Sequence, residues 1–198
     1  MPQVANLVDG ELPEWVCNSI YSKLENPGLL DKKNIIIQKC FDPITAKSMI
    51  IAYANANKYD GAFSIFEDTD GKYKEIFGTR VKLIVSVQIR HPNIILASMD
   101  ESGTGASSVN FHVIKNTSKG YKNVWQGLAN FYDQSYFPQH CFEVTAGISF
   151  SDNGELIHSI LKRIYMQGNQ ANPVSVEKLF DIYVYNESNA QYQFVKRL

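Results

Sequence analysis

The chain has 198 residues, of which 44% are hydrophobic and 20% are charged, and its formal net charge is -1. This composition is ordinary for a folded protein and excludes a disordered chain, which would have fewer aromatic residues and more net charge. The near-neutral charge gives no general attraction to nucleic acids or acidic membranes. The length predicts one domain over residues 1–198.

The beginning of the chain carries no recognisable targeting signal. Residues 1–12 show no periodicity and are predicted to be irregular, and they lack the basic and apolar regions of a signal peptide. The three cysteines, Cys17, Cys40 and Cys141, are an odd number without CxxC spacing, which predicts reduced thiols and a cytoplasmic location. The longest apolar runs are too short to cross a bilayer, so a soluble protein without membrane insertion is expected.

Four segments have apolar residues at helical spacing. The first begins at Pro13 and continues to residue 24. The second follows Asp42-Pro43, which combines an N-cap residue with a proline at the first helical position, and it continues to residue 54. Two more helices are predicted at residues 124–132 and 156–165.

Strands are predicted for most of the remaining chain, because apolar and polar residues alternate there. The predicted strands are residues 34–41, 61–67, 72–77, 81–90, 94–99, 109–116, 142–150, 176–185 and 191–195. The first of them is an apolar run typical of a strand buried on both faces, and the strand at 176–185 could instead begin as a helical turn over residues 175–180. Asp70-Gly71 is typical of a tight hairpin turn. Residues 100–108 are small and polar, so we expect a mobile loop there.

These elements predict an α+β fold, in which three or four helices pack on a mainly antiparallel, twisted sheet. The most regular apolar stripes also predict which side chains are largely buried. The predicted core consists of Leu83, Val85, Val87, Val144, Ile148, Ile160 and Ile164.

The sequence contains no complete catalytic, metal or nucleotide motif. His140-Cys141 has the residue types of a nucleophile and its base, but neighbours in a strand point to opposite faces. The four histidines lack metal-binding spacing, and residues 103–108 lack the lysine and following helix of a phosphate loop. We therefore assign no catalytic residue, metal or cofactor, and the sequence favours a protein that is not an enzyme.

A small group of basic and aromatic residues lies in the middle of the chain. Lys115, Lys119 and Lys122 flank Tyr121 and Trp125, and this combination can bind single-stranded nucleic acids. The group is small and the chain is slightly acidic. Nucleic acid is therefore not an expected partner.

The C-terminal hairpin has aromatic residues on both faces. Phe180, Ile182 and Val184 can supply an apolar face toward the core, while Tyr183, Tyr185 and Tyr192 lie on the other face. Tyrosine is frequent at protein interfaces, since it combines an apolar ring with a polar tip. We expect these three tyrosines to contribute to a protein-binding surface.

Another protein is thus the expected partner, with the chain acting as a non-enzymatic adaptor, assembly subunit or chaperone-like component. Abundant Ile, Asn, Lys and Tyr are typical of AT-rich genomes, and this association alone suggests a bacterial secretion or virulence accessory. Two alternatives remain open. The first is a small hydrolase or transferase whose site is assembled across the sheet, and the second is a carrier of a small apolar ligand.

Overall fold

The structure is a computed structural model that describes residues 12–42, 44–103, 105–137, 140–166 and 171–198. Apart from residue 12, the predicted irregular start lies outside the described residues. The described chain contains one α-helix and is otherwise built almost wholly from antiparallel strands. The predicted α+β class with three or four helices was therefore wrong.

The only α-helix among the described residues is α1 (Glu14–Lys23), at the position of the first predicted helix, and short 3₁₀ turns follow at Pro27–Leu29 and Lys32–Asn34. The strands are, in chain order, β1 (Ile36–Asp42), β2 (Lys47–Asn57), β3 (Asp60–Thr69), β4 (Lys72–Val81), β5 (Leu83–Arg90), β6 (Asn93–Gly103), β7 (Ala106–Thr117), β8 (Gly120–Phe137), β9 (His140–Phe150), β10 (Leu156–Met166), β11 (Ser175–Asn186) and β12 (Gln191–Arg197).

The strands form two sheets, and in each sheet their order in space is their order in the chain. Sheet 1 contains β1 to β4 and sheet 2 contains β5 to β12. The chain crosses from one sheet to the other through Lys82. Next to this crossing, the side-chain amide of Asn55 donates to the Ile84 carbonyl at 2.9 Å and accepts from the Ile84 amide at 2.8 Å. These two bonds fasten β2 to β5.

Three buried apolar clusters join the elements. The first core lies between α1 and one face of sheet 1, and the second core lies between the other face of sheet 1 and sheet 2. The third core lies on the opposite face of sheet 2, which curls so that its last strands pack across β7 and β8. The buried members of the third core are Val113, Val124, Trp125, Leu156 and Tyr192.

The second predicted helix, at residues 43–54, was wrong because most of this segment belongs to β2. Asp42 does act as a cap, since its side chain accepts a hydrogen bond from the amide two residues later at 2.9 Å, but it caps a turn between strands. In β2, Met49 faces the second core while Ile50 faces the first. A strand buried on both faces has no polar side, so its apolar residues satisfy helical spacing as well.

The third predicted helix, at residues 124–132, was wrong because β8 runs through it. The pairing of β7 with β8 shifts register inside this segment, because Val124 and Ala129 have no partner in β7. Both Val124 and Trp125 belong to the third core. A bulge lets consecutive residues of a strand share a face, which removes the alternation that marks a strand in the sequence.

The fourth predicted helix, at residues 156–165, was wrong because it lies in β10. Leu156 is buried in the third core, whereas Ile160 and Ile164 are half-buried in a strand. Of the predicted core residues outside this segment, Val144 is buried, as predicted, and Ile148 is half-buried.

The predicted core face of β5 was partly wrong. Val85 is 54% exposed, and its neighbour Ile84 is buried in the second core. A register shift lies between Ile84 and Ser86, and beyond it Val87 packs against the second core. Leu83 and Val87 are half-buried. The bulge thus changes the phase of the alternation within a single strand.

Turn residues were predicted with mixed success. Asp70 and Gly71 have φ values of 56° and 79° and connect β3 to β4, as predicted. The predicted loop at residues 100–108 was wrong, because β6 continues to Gly103 and β7 begins at Ala106, and these two residues pair in register.

Candidate functional site

The predicted tyrosine site of the C-terminal hairpin faces the protein interior. Tyr192 is 8% exposed, and Tyr183 and Tyr185 are half-buried beside it in the third core. Tyr183 lies edge-on to Trp125, with 5.5 Å between ring centroids, and Tyr185 lies 5.3 Å from Tyr192. These contacts place all three rings in the packing of sheet 2, and their binding to a partner stays a prediction.

The opposite face of the same hairpin is exposed. Phe180 and Val184, which were predicted to face the core, are each 43% exposed, so their predicted orientation was wrong. Asp181 lies on the inner face of the same strand, next to Phe180 in sequence. It is 4% exposed and accepts two hydrogen bonds from Arg197, at 2.6 and 2.8 Å. These bonds from the Arg197 guanidinium hold the pKa of Asp181 below its ordinary value, although burial opposes them.

We call Val176, Phe180, Val184 and Leu198 the outer-face patch. Phe180 and Leu198 are joined by two backbone hydrogen bonds of 3.1 and 2.9 Å, so their side chains are neighbours on one face. Eight of the fifteen exposed large hydrophobic residues in the described chain lie in the last part of it. These eight are Met166, Val174, Val176, Phe180, Val184, Phe194, Val195 and Leu198.

The outer-face patch lies beside a groove and an open strand edge. A shallow apolar groove of about 160 Å³ beside it is lined in part by Leu161, Lys178 and Phe180. Strand β12 ends the order of sheet 2, so its outer edge has no paired strand among the described residues. An apolar surface beside an open strand edge offers both side-chain burial and backbone hydrogen bonds to a partner.

A chain of polar side chains crosses sheet 2 on the side of the second core. Ser98 Oγ lies 2.8 Å from His112 Nε2, and His112 Nδ1 lies 3.1 Å from Asn123 Nδ2. These residues belong to β6, β7 and β8, and they line a cavity of about 330 Å³. Asp100 lines the same cavity and accepts hydrogen bonds from Asn110 and Gln126.

Ser98, His112 and Asn123 have the residue types of a catalytic nucleophile, its base and an orienting amide, but their hydrogen bonds do not have the directions that catalysis needs. Burial lowers the pKa of His112, with the nearby Asp100 charge opposing, so the imidazole favours its neutral form. With the Asn123 amide nitrogen as donor to Nδ1, the ring proton lies on Nε2 and is donated to Ser98. A catalytic base has to accept the proton of the serine hydroxyl, whereas this imidazole donates its own proton to that hydroxyl. Ser98 is also 0% exposed, which keeps substrate away from its hydroxyl.

A larger cavity lies on the other side of sheet 2. It has a volume of about 740 Å³ and is bounded by the β5–β6 turn, the β9–β10 turn and the beginning of β12, and we call it the turn cavity. Lys115, Asn93 and Tyr192 line it. Lys115 Nζ lies 3.7 Å from the centroid of the Tyr185 ring and 5.9 Å from that of Tyr192. A cation held over aromatic rings is the most distinctive feature of this cavity.

The predicted basic and aromatic group does not form one exposed surface. Tyr121 points toward sheet 1, where its hydroxyl donates to Asp42 at 3.2 Å, and Trp125 is 6% exposed. Lys115 turns toward Tyr185, whereas Lys122 is exposed. Bases therefore have no set of exposed aromatic rings to stack on among these residues.

The remaining candidates from the sequence are the His140–Cys141 pair and a metal site. Cys141 is 3% exposed and lines a small cavity with Glu143 and Tyr165, while His140 lies next to it in β9. Within the described ranges, no group of three or more histidine, cysteine or acidic side chains is placed to hold a metal ion. In the same part of the chain, no helix has the length and apolar character needed to cross a membrane.

The sequence reveals neither the cavity beside Ser98 nor the turn cavity, because the residues of each come together only in the folded chain. Ser98 and His112 lie on adjacent strands and are separated by a hairpin, so no local spacing marks them. Lys115 was assigned to a group with its sequence neighbours, but its contacts are Tyr185 and Tyr192, far along the chain. The alternation of β7 places Val113 and Lys115 on one face, and only this weak signal was available.

Comparison of the chain with protein-family models, with curated proteins and with solved structures gave no match.

Proposed function

We propose that this chain is a non-enzymatic protein-binding component, an adaptor or an assembly subunit, and that its partner docks on the outer-face patch. The observation that supports this proposal is the concentration of exposed apolar side chains in the C-terminal strands, beside the open edge of β12. Contiguous exposed apolar surface costs solubility in a monomer and is typical of interaction sites.

The charges around the outer-face patch favour a partner with an acidic surface. Lys178 lies on the same face of β11 as Phe180, and Lys196 pairs in register with Ile182 on that face. Both lysines are exposed, and neither belongs to an ion pair between described residues. We therefore expect a partner surface with an apolar centre and acidic residues at its rim.

The first test removes the apolar groups of the patch. We expect the double variant F180S/V184S to recover a partner at a level at least roughly tenfold lower than the wild type in affinity capture from native cells, because the buried contact area is lost. The matched control is Val85→Ser, since Val85 is exposed to a similar extent, at 54%, but lies on β5. Thermal unfolding of all three proteins should be similar.

The result that contradicts the proposal is equal recovery of every captured protein by F180S/V184S and the wild type, with both folded. A loss that also occurs with Val85→Ser would indicate general surface adhesion and would equally contradict it. The three tyrosines remain predicted contacts. Because their rings pack in the third core, variants at Tyr183, Tyr185 or Tyr192 need a measured melting temperature before any loss of capture is interpreted.

The second candidate function is the hydrolase, and the contact between Ser98 and His112 is the observation that favours it. The burial of Ser98 and the direction of its hydrogen bond argue against an activated hydroxyl. We expect a fluorophosphonate probe, which labels activated serines, to leave the folded wild-type protein unlabelled. Labelling of the wild type that disappears in Ser98→Ala, with unchanged melting, would instead establish a reactive serine and favour the hydrolase.

A further inference from the structure

We propose that the turn cavity binds a small hydroxylated carboxylate, of the class of the acidic sugars, with its carboxylate beside Lys115. The site is separate from the outer-face patch and does not depend on the proposed function. Its volume of about 740 Å³ lies in the range that is usual for sites of small ligands.

The cationic side of the cavity comes from Lys115. Its ammonium group lies against the Tyr185 and Tyr192 rings, and it takes part in no ion pair between described residues. The side chain is half-buried, so burial lowers its pKa, although the charge of Glu187 opposes this effect. A half-buried cation without a paired carboxylate gains from an anionic ligand.

The polar side of the cavity comes from Asn93, which lies opposite Lys115 in the register of β6 and β7. Asn93 is 4% exposed and lines the cavity together with Tyr192, whose hydroxyl donates to the Gly154 carbonyl at 3.3 Å. The Oδ1 atom of Asn93 is buried and has no hydrogen-bond partner. A hydroxyl group of a ligand can donate to this acceptor after a small movement of the side chain.

The charges of the lining select one class of anion. Arg90 and His91 at the β5–β6 turn and Asp152 at the β9–β10 turn all line the cavity. The Asp152 carboxylate accepts hydrogen bonds from hydroxyl groups, and it repels a doubly charged phosphate about twice as strongly as a singly charged carboxylate at the same distance. Phe150 and Tyr192 supply aromatic wall for the apolar face of a sugar ring. A singly charged ligand with several hydroxyl groups therefore matches the cations and the hydrogen-bond acceptors of the lining.

The test uses ligand-observed NMR titration of the full chain at matched ionic strength. Glucuronate and galacturonate are the probes, glucose lacks their carboxylate, and acetate lacks their hydroxyl groups. We expect saturable binding of at least one of the two uronates and no saturable binding of glucose or acetate. Lys115→Met should weaken uronate binding at least roughly tenfold, because it removes the charge and keeps the length of the side chain.

Two further variants separate charge from folding. Lys115→Arg keeps the charge and should retain uronate binding, whereas Lys72→Met removes an exposed lysine at the β3–β4 turn and should change nothing. Absence of uronate binding to the wild type overturns the proposal. Equal binding by wild type and Lys115→Met, or acetate binding as strong as that of the uronates, also overturns it.

Discussion

Phe63→Ala is expected to lower the free energy of unfolding by about 3–5 kcal/mol. Phe63 is 0% exposed and lies in the second core between the two sheets, where its ring meets that of Phe77 edge-on at 6.2 Å. The substitution removes the transfer energy of the ring and leaves a cavity that two rigid sheets cannot close. Equilibrium unfolding in urea, followed by circular dichroism, measures the change.

Val85→Ala is the matched control for this measurement. The alternating pattern of β5 predicts that Val85 is buried, whereas the structure exposes 54% of it. The change in unfolding free energy should therefore stay within about 0.5 kcal/mol of the wild type. A large loss of stability for Val85→Ala together with a small loss for Phe63→Ala would contradict the burial of Phe63 and the exposure of Val85.

Asp60→Asn is expected to cost about 2–4 kcal/mol, because a charged acceptor of several hydrogen bonds is replaced by an amide. The Asp60 carboxylate is 1% exposed and accepts from the amides of Glu25 and Asn26, at 3.1 and 2.8 Å, and from Arg80 Nε at 3.0 Å. The asparagine nitrogen would face one of these donors. Urea unfolding of the two proteins at neutral pH measures the loss.

The control is Glu25→Gln, which removes the second carboxylate beside Arg80. The Glu25 side chain is 65% exposed, so its ion pair should contribute only about 0–1 kcal/mol. A loss as large as that of Asp60→Asn would mean that the Arg80 charge, rather than the buried hydrogen bonds, holds this corner together.

Acid provides a second measurement on Asp60. Burial alone would raise its pKa, but the hydrogen bonds from Asn26, Glu25 and Arg80 prevail and hold the pKa below its ordinary value. A lowered pKa in the folded state stabilises the protein above the unfolded-state pKa of about 3.9, and this stabilisation is lost as pH falls through the folded-state value. The difference between wild type and Asp60→Asn should therefore shrink as the solution is acidified. A difference that stays constant in acid would show that ionisation of Asp60 contributes nothing.

The sequence predicts local structure well where one local interaction decides it. Pro13 lies directly before α1, and Asp70 and Gly71 form a turn with positive φ values. Strand β9 was recognised because apolar residues such as Val144 alternate with polar or small ones such as Thr145, and in the structure Val144 is buried and Thr145 is exposed. In these segments the side-chain pattern and the backbone preference point to the same structure.

The sequence fails where tertiary contacts cover both faces of a strand. Ile50 and Ile51 in β2 are both buried, one against α1 and one against sheet 2, so the segment contains no polar alternation. A bulge has a similar effect in β8, where Val124 and Trp125 share a core. Both arrangements depend on which elements pack above and below, which periodicity along one strand does not record.

The candidate sites were beyond sequence reasoning for a related reason. The hairpin was found, but which of its faces turns inward follows from the contact between Tyr183 and Trp125, and these residues lie on different parts of the sheet. The turn cavity likewise needs the curling of sheet 2 to bring Tyr185 over Lys115. Curvature of this kind is a property of the whole sheet.

The sequential order of the strands also bears on how quickly the chain can fold. Each strand of sheets 1 and 2 pairs with the strand before it or after it in the chain, so every pairing closes a short loop. The entropy lost in closing a loop grows with its length, and proteins dominated by distant strand pairings fold slowly for that reason. Successive hairpins can therefore form as each strand leaves the ribosome, without waiting for a distant partner. The contacts of Tyr192 with the rest of the third core then come last, after the strands between them are in place.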